Sequence, residues 1–156
     1  MENNYNEIKT STKDIFNKRF ILNFSPLNNH NSLPFLIITN LHIMNNDRKN
    51  FKLKENEFLD LVPQMGGCFA TDKITVDGMK VGYMYREESD EKTDSGWRFF
   101  SGTEDQEYVD NPDNTMIYNV NTIANYDRAI IPYLDFSFGT ELERIENTDT
   151  FQIITE

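Results

Sequence analysis

The segment that most constrains the fold is the aromatic run WRFF at residues 97–100, which Gly96 and Gly102 bracket. Aromatic residues favour the pleated, half-buried surface of a β-sheet. Successive side chains of a strand alternate between its two faces, so Trp97 and Phe99 would share one face and the other two residues the opposite one. We therefore predict a β-strand here, with the glycines serving the turn geometry at its ends.

Further runs of β-branched and aromatic residues carry the same strand signal. Asp77 and Gly78 lie between two such runs, and an Asp-Gly pair in that position is the strongest short-range indication of a hairpin. A second hairpin is predicted near the C-terminus, and two N-terminal strands are separated by a loop rich in Pro, Asn and Ser. The runs are RFILNF (19–24), PFLIITNLHIM (34–44), CFATDKITV (68–76), MKVGYMYRE (79–87), ELERI (141–145) and FQIIT (151–155).

Two segments show the spacing of a helix. KENEFLDLV (54–62) places its apolar residues on one side, and Pro63 limits it to a short helix. NVNTIANYDRAII (119–131) predicts a longer helix with Asn119 or Asn121 as its N-cap. With the strands, these helices predict an α+β fold, a single domain with a mostly antiparallel sheet and about two helices. The length of 156 residues fits one domain.

The net charge of −11 is unevenly distributed along the chain. Residues 1–100 carry 14 acidic and 13 basic side chains, whereas residues 101–156 carry 12 acidic side chains against Arg128 and Arg144. Such a field repels nucleic acid and anionic membranes, because binding to either depends on Lys and Arg. It favours basic protein partners and speeds their encounter.

The sequence favours neither secretion nor membrane insertion. Its first residues lack the basic and apolar regions of a signal peptide, and its longest apolar run is far too short to span a bilayer. We therefore expect a soluble, cytoplasmic protein.

No motif in the sequence favours catalysis or metal binding. DQEYVDNPDN lacks the glycine and the final glutamate that an EF-hand loop requires, and His30, His42 and Cys68 are not spaced as zinc ligands. A phosphate-binding loop, a nucleophile elbow and HExxH are absent from the sequence. Cys68 is expected to be a buried free thiol. We expect a protein that is not an enzyme and that uses neither a metal nor another cofactor.

An acidic segment follows the aromatic strand directly. It contains no basic residue, and a tyrosine in its middle is a candidate anchor for a partner. We predict that the segment forms an exposed acidic surface; a solvated connector between two elements fits the pattern equally. The predicted partner-binding residues are Glu104, Asp105, Glu107, Tyr108, Asp110 and Asp113.

Three blocks in this order resemble a bacterial family, the immunity protein thirty-three domain. They are the segments DGMKVGYMYREE, DSGWRFFSGTEDQEY and NTIANYDRAI, and the resemblance extends from Gly66 to about Arg144. Ser89 and Arg128 stand where proline is frequent in the family. The resemblance implies an immunity-type domain at residues 63–156, with residues 1–62 as an extension of the same domain that is specific to this variant.

The resemblance also implies a role. Members are assigned to cytoplasmic immunity proteins that bind and block a toxin domain of polymorphic toxin systems. Asp77, Gly78, Gly96, Trp97, Phe99 and Gly102 would then be structural motif residues. We expect the acidic surface to occlude a basic toxin, with nucleases among the candidates because their clefts are built to hold phosphate. The alternative is a small-molecule-binding, peptide-binding or enzymatic domain unrelated to toxins, and either reading leaves the oligomeric state open.

Overall fold

A six-stranded sheet organises residues 49–154, which are the residues that the structure, a computed structural model, describes. Its strands are β1 (Gly67–Thr71), β2 (Tyr83–Arg86), β3 (Asp94–Phe100), β4 (Thr115–Asn119), β5 (Glu141–Arg144) and β6 (Phe151–Ile153). They lie in the order β4-β1-β3-β2-β5-β6, and every neighbouring pair is antiparallel except β1 with β3. The predicted α+β fold with a mostly antiparallel sheet is therefore confirmed.

Short helices connect the strands. The α-helices are α1 (Asp72–Thr75), α2 (Gln106–Asp110) and α3 (Val120–Tyr126), and 3-10 turns span Glu55–Glu57, Pro112–Asn114 and Arg128–Tyr133. The predicted strands at 19–24 and 34–44, together with His30 and His42, lie outside the described residues.

The chain divides into two compact units. One contains Phe51–Glu104 and the chain from Asn114 onward, and therefore all six strands. Lys49, Asn50 and Asp105–Asp113, with helix α2, belong to the other. The predicted division of the chain at residue 62 stays a prediction.

One face of the sheet carries the main core of the first unit. Trp97 and Phe99 share this face as the alternation predicts, and their rings stack at 5.9 Å between centroids. Arg98 and Phe100 occupy the opposite face and are also buried. Because every residue of β3 from Ser95 onward is buried, this strand is the central support of the sheet. The core cluster consists of Cys68, Ala70, Ile74, Val81, Met84, Trp97, Phe99, Val120, Ile123, Ala124, Ile130, Leu134, Leu142 and Phe151.

The predicted hairpin around Asp77 and Gly78 is wrong. Strand β1 pairs with β3 and β4, not with β2, and the residues after it form helix α1. Gly78 has a left-handed φ of 75°, and the next amide donates back to the carbonyl of Lys73 at 2.9 Å. The Asp-Gly pair therefore ends a helix, a role that requires the same glycine conformation as a hairpin turn.

The predicted helix at 54–62 is reduced to the 3-10 turn Glu55–Glu57. The remaining residues are irregular because their backbone groups are bound by side chains from α3 instead of by one another. Asn121 and Asn125 accept from the amides of Leu59, Leu61 and Val62 and donate to the Leu59 carbonyl, at 2.8–3.2 Å.

The predicted helix at 119–131 is divided into two. Asn119 caps α3, as one of the two predicted alternatives, by accepting from the Asn121 amide at 2.9 Å. At Asp127 the backbone becomes extended (φ −147°, ψ 100°), and a 3-10 turn follows. The final hairpin is confirmed, since β5 pairs antiparallel with β6. Strand β4 was not predicted.

Candidate interaction surface

Glu104 does not lie on the predicted acidic surface. It is only 4% exposed, and its carboxylate accepts four hydrogen bonds. The prediction that Glu104 is exposed to solvent is therefore wrong. One oxygen accepts from the hydroxyl of Thr71 (2.6 Å) and the amide of Ser101 (2.8 Å). The other accepts from the amides of Gly102 (2.9 Å) and Thr103 (3.1 Å). Glu104 therefore links the turn after β3 to strand β1 through hydrogen bonds. Gly102 lies in that turn with a left-handed φ of 82°.

The other predicted carboxylates are exposed. Asp105 is the N-cap of α2 and accepts from the amide of Tyr108 at 2.8 Å. Glu107, Asp110 and Asp113 are exposed, and Tyr108 is half-buried. An acidic side chain in the first turn of a helix interacts favourably with the helix dipole, so Glu107 suits its place in α2. The capped helix gives Asp105, Glu107 and Asp110 a defined geometry in place of a loop, and Asp113 follows in the 3-10 turn Pro112–Asn114. We call these four side chains the α2 carboxylates.

Among residues 49–154, no three His, Cys, Asp or Glu side chains are grouped as they would be to hold a metal ion. Within the same residues, no helix is long and apolar enough to cross a membrane. Cys68 is buried as expected, and burial raises the pKa of its thiol far above the usual value.

A buried arginine organises the end of the sheet where β3 begins. Arg98 is 1% exposed and donates to Glu87 at 2.7 Å and to both carboxylate oxygens of Asp94 at 2.7 and 2.9 Å. Burial raises the pKa of Glu87 in spite of this arginine. Burial also acts on Asp94, but hydrogen bonds from Arg98 and the Gly96 amide hold its pKa below the usual value. The pair of carboxylates thus neutralises a charge that would be costly to bury alone.

A second arginine connects the same end of the sheet to the loop before β5. The side chain of Arg86 donates to the carbonyls of Ser95 (3.1 Å) and Phe136 (2.7 Å). Its guanidinium carbon lies 5.7 Å from the ring centroid of Trp97 and 4.5 Å from that of Phe138. Phe138 is nevertheless 52% exposed, so an ordered arginine supports an aromatic ring at the surface.

Asp127 is a second acidic residue that is buried. It is one of the carboxylates counted in the acidic last third of the sequence. It is 1% exposed, accepts from the Val81 amide at 2.9 Å and forms an ion pair with Arg144. Arg144 also donates to the Val81 carbonyl at 2.7 Å and lies over the ring of Phe151 at 4.6 Å. The last third of the chain therefore exposes fewer carboxylates than its composition indicates.

The Immunity protein Imm33 domain family matches this chain over residues 68–155, more than half of its length. The chain belongs to this family. The Imm33 match begins within β1 and includes every later strand, which confirms the resemblance drawn from the three sequence blocks. No curated protein and no solved structure matches the chain.

The fold gives the Imm33 sequence blocks separate physical roles. YREE and DSGWRFF supply Arg86, Glu87, Asp94 and Arg98 to one end of the sheet, where Gly96 allows close backbone packing inside β3. NTIANYD supplies the asparagines that bind the backbone of residues 59–62, a segment that precedes the matched residues. Sequence reasoning missed Phe138 as a surface residue, because a lone phenylalanine in an apolar-rich loop is indistinguishable from a core residue.

Proposed function

We propose that this Imm33 protein is a cytoplasmic immunity protein that binds a protein toxin and blocks it by occlusion, without catalysis. The family match over residues 68–155 is the observation that carries this proposal. Occlusion requires a stable surface and no reactive group. The ordered sheet, with its buried Arg98 and Glu104 networks, supports a surface of that kind.

We infer that the α2 carboxylates, which belong to the other compact unit, also contact the toxin. Asp105, Glu107, Asp110 and Asp113 are all exposed, and Asp105 holds the helix start in place through its cap. Carboxylates held in one geometry attract a cationic partner from a distance and act mainly on the rate of association. A basic toxin, such as a nuclease with a phosphate-binding cleft, is the partner that this chemistry fits.

The experiment measures association between the full chain and the product of the gene directly upstream, which this proposal expects to be the toxin, purified in an inactive form. The test variant is Asp105→Asn/Glu107→Lys, in which asparagine keeps the cap oxygen that Tyr108 requires. We expect association to be about 10-fold slower at low salt, and the difference to shrink as salt screens the charges. Glu104 is left unchanged because its substitution would disturb the fold.

A matched control separates the α2 carboxylates from net charge. Glu55→Lys/Asp60→Asn changes two exposed acidic residues elsewhere and alters the charge by the same amount. Equal slowing by both variants would show that α2 has no special role. Failure of the unaltered chain to bind or to protect cells from the neighbouring toxin would contradict the immunity role itself.

A further inference from the structure

Phe138 is an exposed apolar side chain whose ring lies on a charged group, the guanidinium of Arg86. Large apolar side chains at the surface are common and by themselves indicate nothing. The ring of Phe138, however, lies 4.5 Å from the guanidinium carbon of Arg86, within the range of a cation–π interaction, and is 52% exposed.

Arg86 has little freedom to move under that ring. Its side chain donates to the carbonyls of Ser95 and Phe136, and its backbone exchanges hydrogen bonds with the loop that carries Phe138. The Gly139 amide donates to the Arg86 carbonyl at 2.7 Å, and the Arg86 amide donates to the Thr140 carbonyl at 2.9 Å. The loop is therefore fixed on both sides of Phe138.

Gly96 lies at the edge of the Phe138 ring. Gly96 has φ 80°, and a Cβ at this position would lie 3.2 Å from the Cε1 of Phe138 and 2.2 Å from the carbonyl oxygen of Glu87. The ring edge thus lies against bare backbone. An aromatic side chain that is already ordered loses little entropy when it is buried by a partner, which is the property of an interface anchor.

The exposed acidic residues on the two segments that hold Phe138 in place indicate the kind of partner. Asp135 is exposed and lies between Leu134 and Phe136, whose carbonyls both accept from Arg86. Glu88 is exposed and follows the strand end to which the loop is bonded. Arg86 keeps its positive charge under the ring, but it is only partly exposed, whereas Asp135 and Glu88 are exposed acidic residues of a chain with a net charge of −11. A surface of this composition fits an apolar pocket with a basic rim.

We propose that Phe138, seated on Arg86, is the hydrophobic anchor through which this protein docks on a basic protein toxin. The inference rests on the proposed function and adds to it a contact that does not involve the α2 carboxylates. Its ring would enter a pocket of the toxin, and Asp135 and Glu88 would face the basic residues around that pocket. Anchors of this kind slow dissociation, whereas peripheral charges change association.

The test is binding of the full chain to the inactive product of the gene directly upstream, which the proposed function expects to be the toxin, measured by surface plasmon resonance. Phe138→Ala should weaken binding by about 30-fold or more, the size expected for an interface hot spot, mainly through faster dissociation. Leu59→Ala is the matched control, because Leu59 is 53% exposed and its removal deletes a similar exposed apolar group. Its affinity should stay within about 2-fold of the unaltered chain.

A second pair of variants separates anchoring from folding. Phe138→Tyr keeps the ring on Arg86 and should retain most of the affinity, whereas Phe138→Leu keeps apolar area without the ring and should lose a large part of it. Thermal melting of each variant checks that the fold is intact. If Phe138→Ala binds as Leu59→Ala does while the unaltered chain binds tightly, the anchor is overturned and the immunity role stands. If the unaltered chain does not bind, the proposed function is overturned and the anchor with it.

Discussion

At the scale of single residues, the fold assigns opposite roles to acidic side chains that are neighbours in sequence. Glu104 is buried under four hydrogen bonds, whereas Asp105 is exposed and caps a helix. Composition indicates neither role, because the donors to Glu104 are mainly backbone amides of the preceding turn. Exposure of the following carboxylates could be expected from their number, but the burial of Glu104 and Asp127 could not.

Substitution of Glu104 by glutamine should destabilise the protein. The carboxylate accepts from Thr71, Ser101, Gly102 and Thr103, and an amide NH₂ would face two of these donors in place of an acceptor. We expect the free energy of unfolding in urea to fall by about 2–3 kcal/mol, the cost of leaving buried polar groups unsatisfied. The exposed Glu107→Gln should change it by less than about 0.5 kcal/mol. Equal stabilities of the two variants would contradict this role.

Asp94 should contribute to the loss of stability in acid. Its pKa is lowered in the folded state, mainly by Arg98 against the opposing effect of burial. Its contribution is therefore complete above the unfolded value of about 3.9 and is lost as pH falls through the lower folded pKa. In Asp94→Asn, stability at neutral pH should drop by about 2 kcal/mol and decline less steeply in acid.

Urea titrations at a series of pH values measure this effect. Asp90→Asn, which removes an exposed carboxylate from the same connection, should leave the profile almost unchanged. A profile for Asp94→Asn that runs parallel to that of the unaltered chain would show that the ion pair with Arg98 does not govern the acid response.

At the scale of secondary-structure elements, strong local patterns were predictable and non-local pairing was not. The aromatic alternation of β3 and the final hairpin follow from side-chain period and turn residues near in sequence. The strands that pair with β1 lie far along the chain and leave no local signal. The nearby Asp-Gly pair therefore predicts a hairpin, although in the structure this pair ends α1. Likewise, the segment at 54–62 has helical spacing, but distant asparagines bind its backbone.

Loss of those asparagines should release the segment without unfolding the sheet. Asn121 and Asn125 bind the amides of Leu59, Leu61 and Val62, so Asn121→Ala/Asn125→Ala removes every one of these contacts. Amide hydrogen exchange should become at least about 5-fold faster at Leu59 and Leu61, since each lost hydrogen bond contributes about 1 kcal/mol or more to local protection.

Two comparisons make this prediction specific. Amides of β3 should keep their protection in the double variant, and Asn56→Ala, which alters an exposed asparagine in the 3-10 turn, should leave the Leu59 amide unchanged. Unaltered exchange at Leu59 and Leu61 in the double variant would show that other contacts hold the segment.

At the scale of the whole molecule, the net charge follows directly from the sequence, but the structure determines which charged side chains are exposed. The chain has a net charge of −11, yet Asp127 and Glu104 are withdrawn from its surface. The family could be recognised from three sequence blocks. In the fold, these blocks contain the residues of the buried arginine cluster and the asparagines that bind the segment at 59–62. The candidate surface could be predicted only in part, because anchoring by Phe138 depends on Arg86, an arginine distant in sequence.

The remaining surface charge should make stability depend on salt. Repulsion among exposed carboxylates destabilises the folded chain and is screened by added ions, whereas the buried Arg98 pairs are screened much less. We expect Tm to rise by about 2–4 °C between low salt and physiological salt, equivalent to about 1 kcal/mol for a chain of this size. Asp105→Asn/Glu107→Lys should show a smaller rise, and a fall in Tm with salt would contradict the expectation.

The position of β1 in the sheet also bears on synthesis of the protein. Both of its neighbours come later in the chain, and the Cys68 thiol donates to a carbonyl 50 residues further on. On the ribosome, this apolar strand is made long before β4 emerges to cover its outer edge, and long-range pairing is slow. A nascent chain with β1 unpaired is therefore the species that we expect a chaperone to bind. Without a chaperone, we expect this species to aggregate.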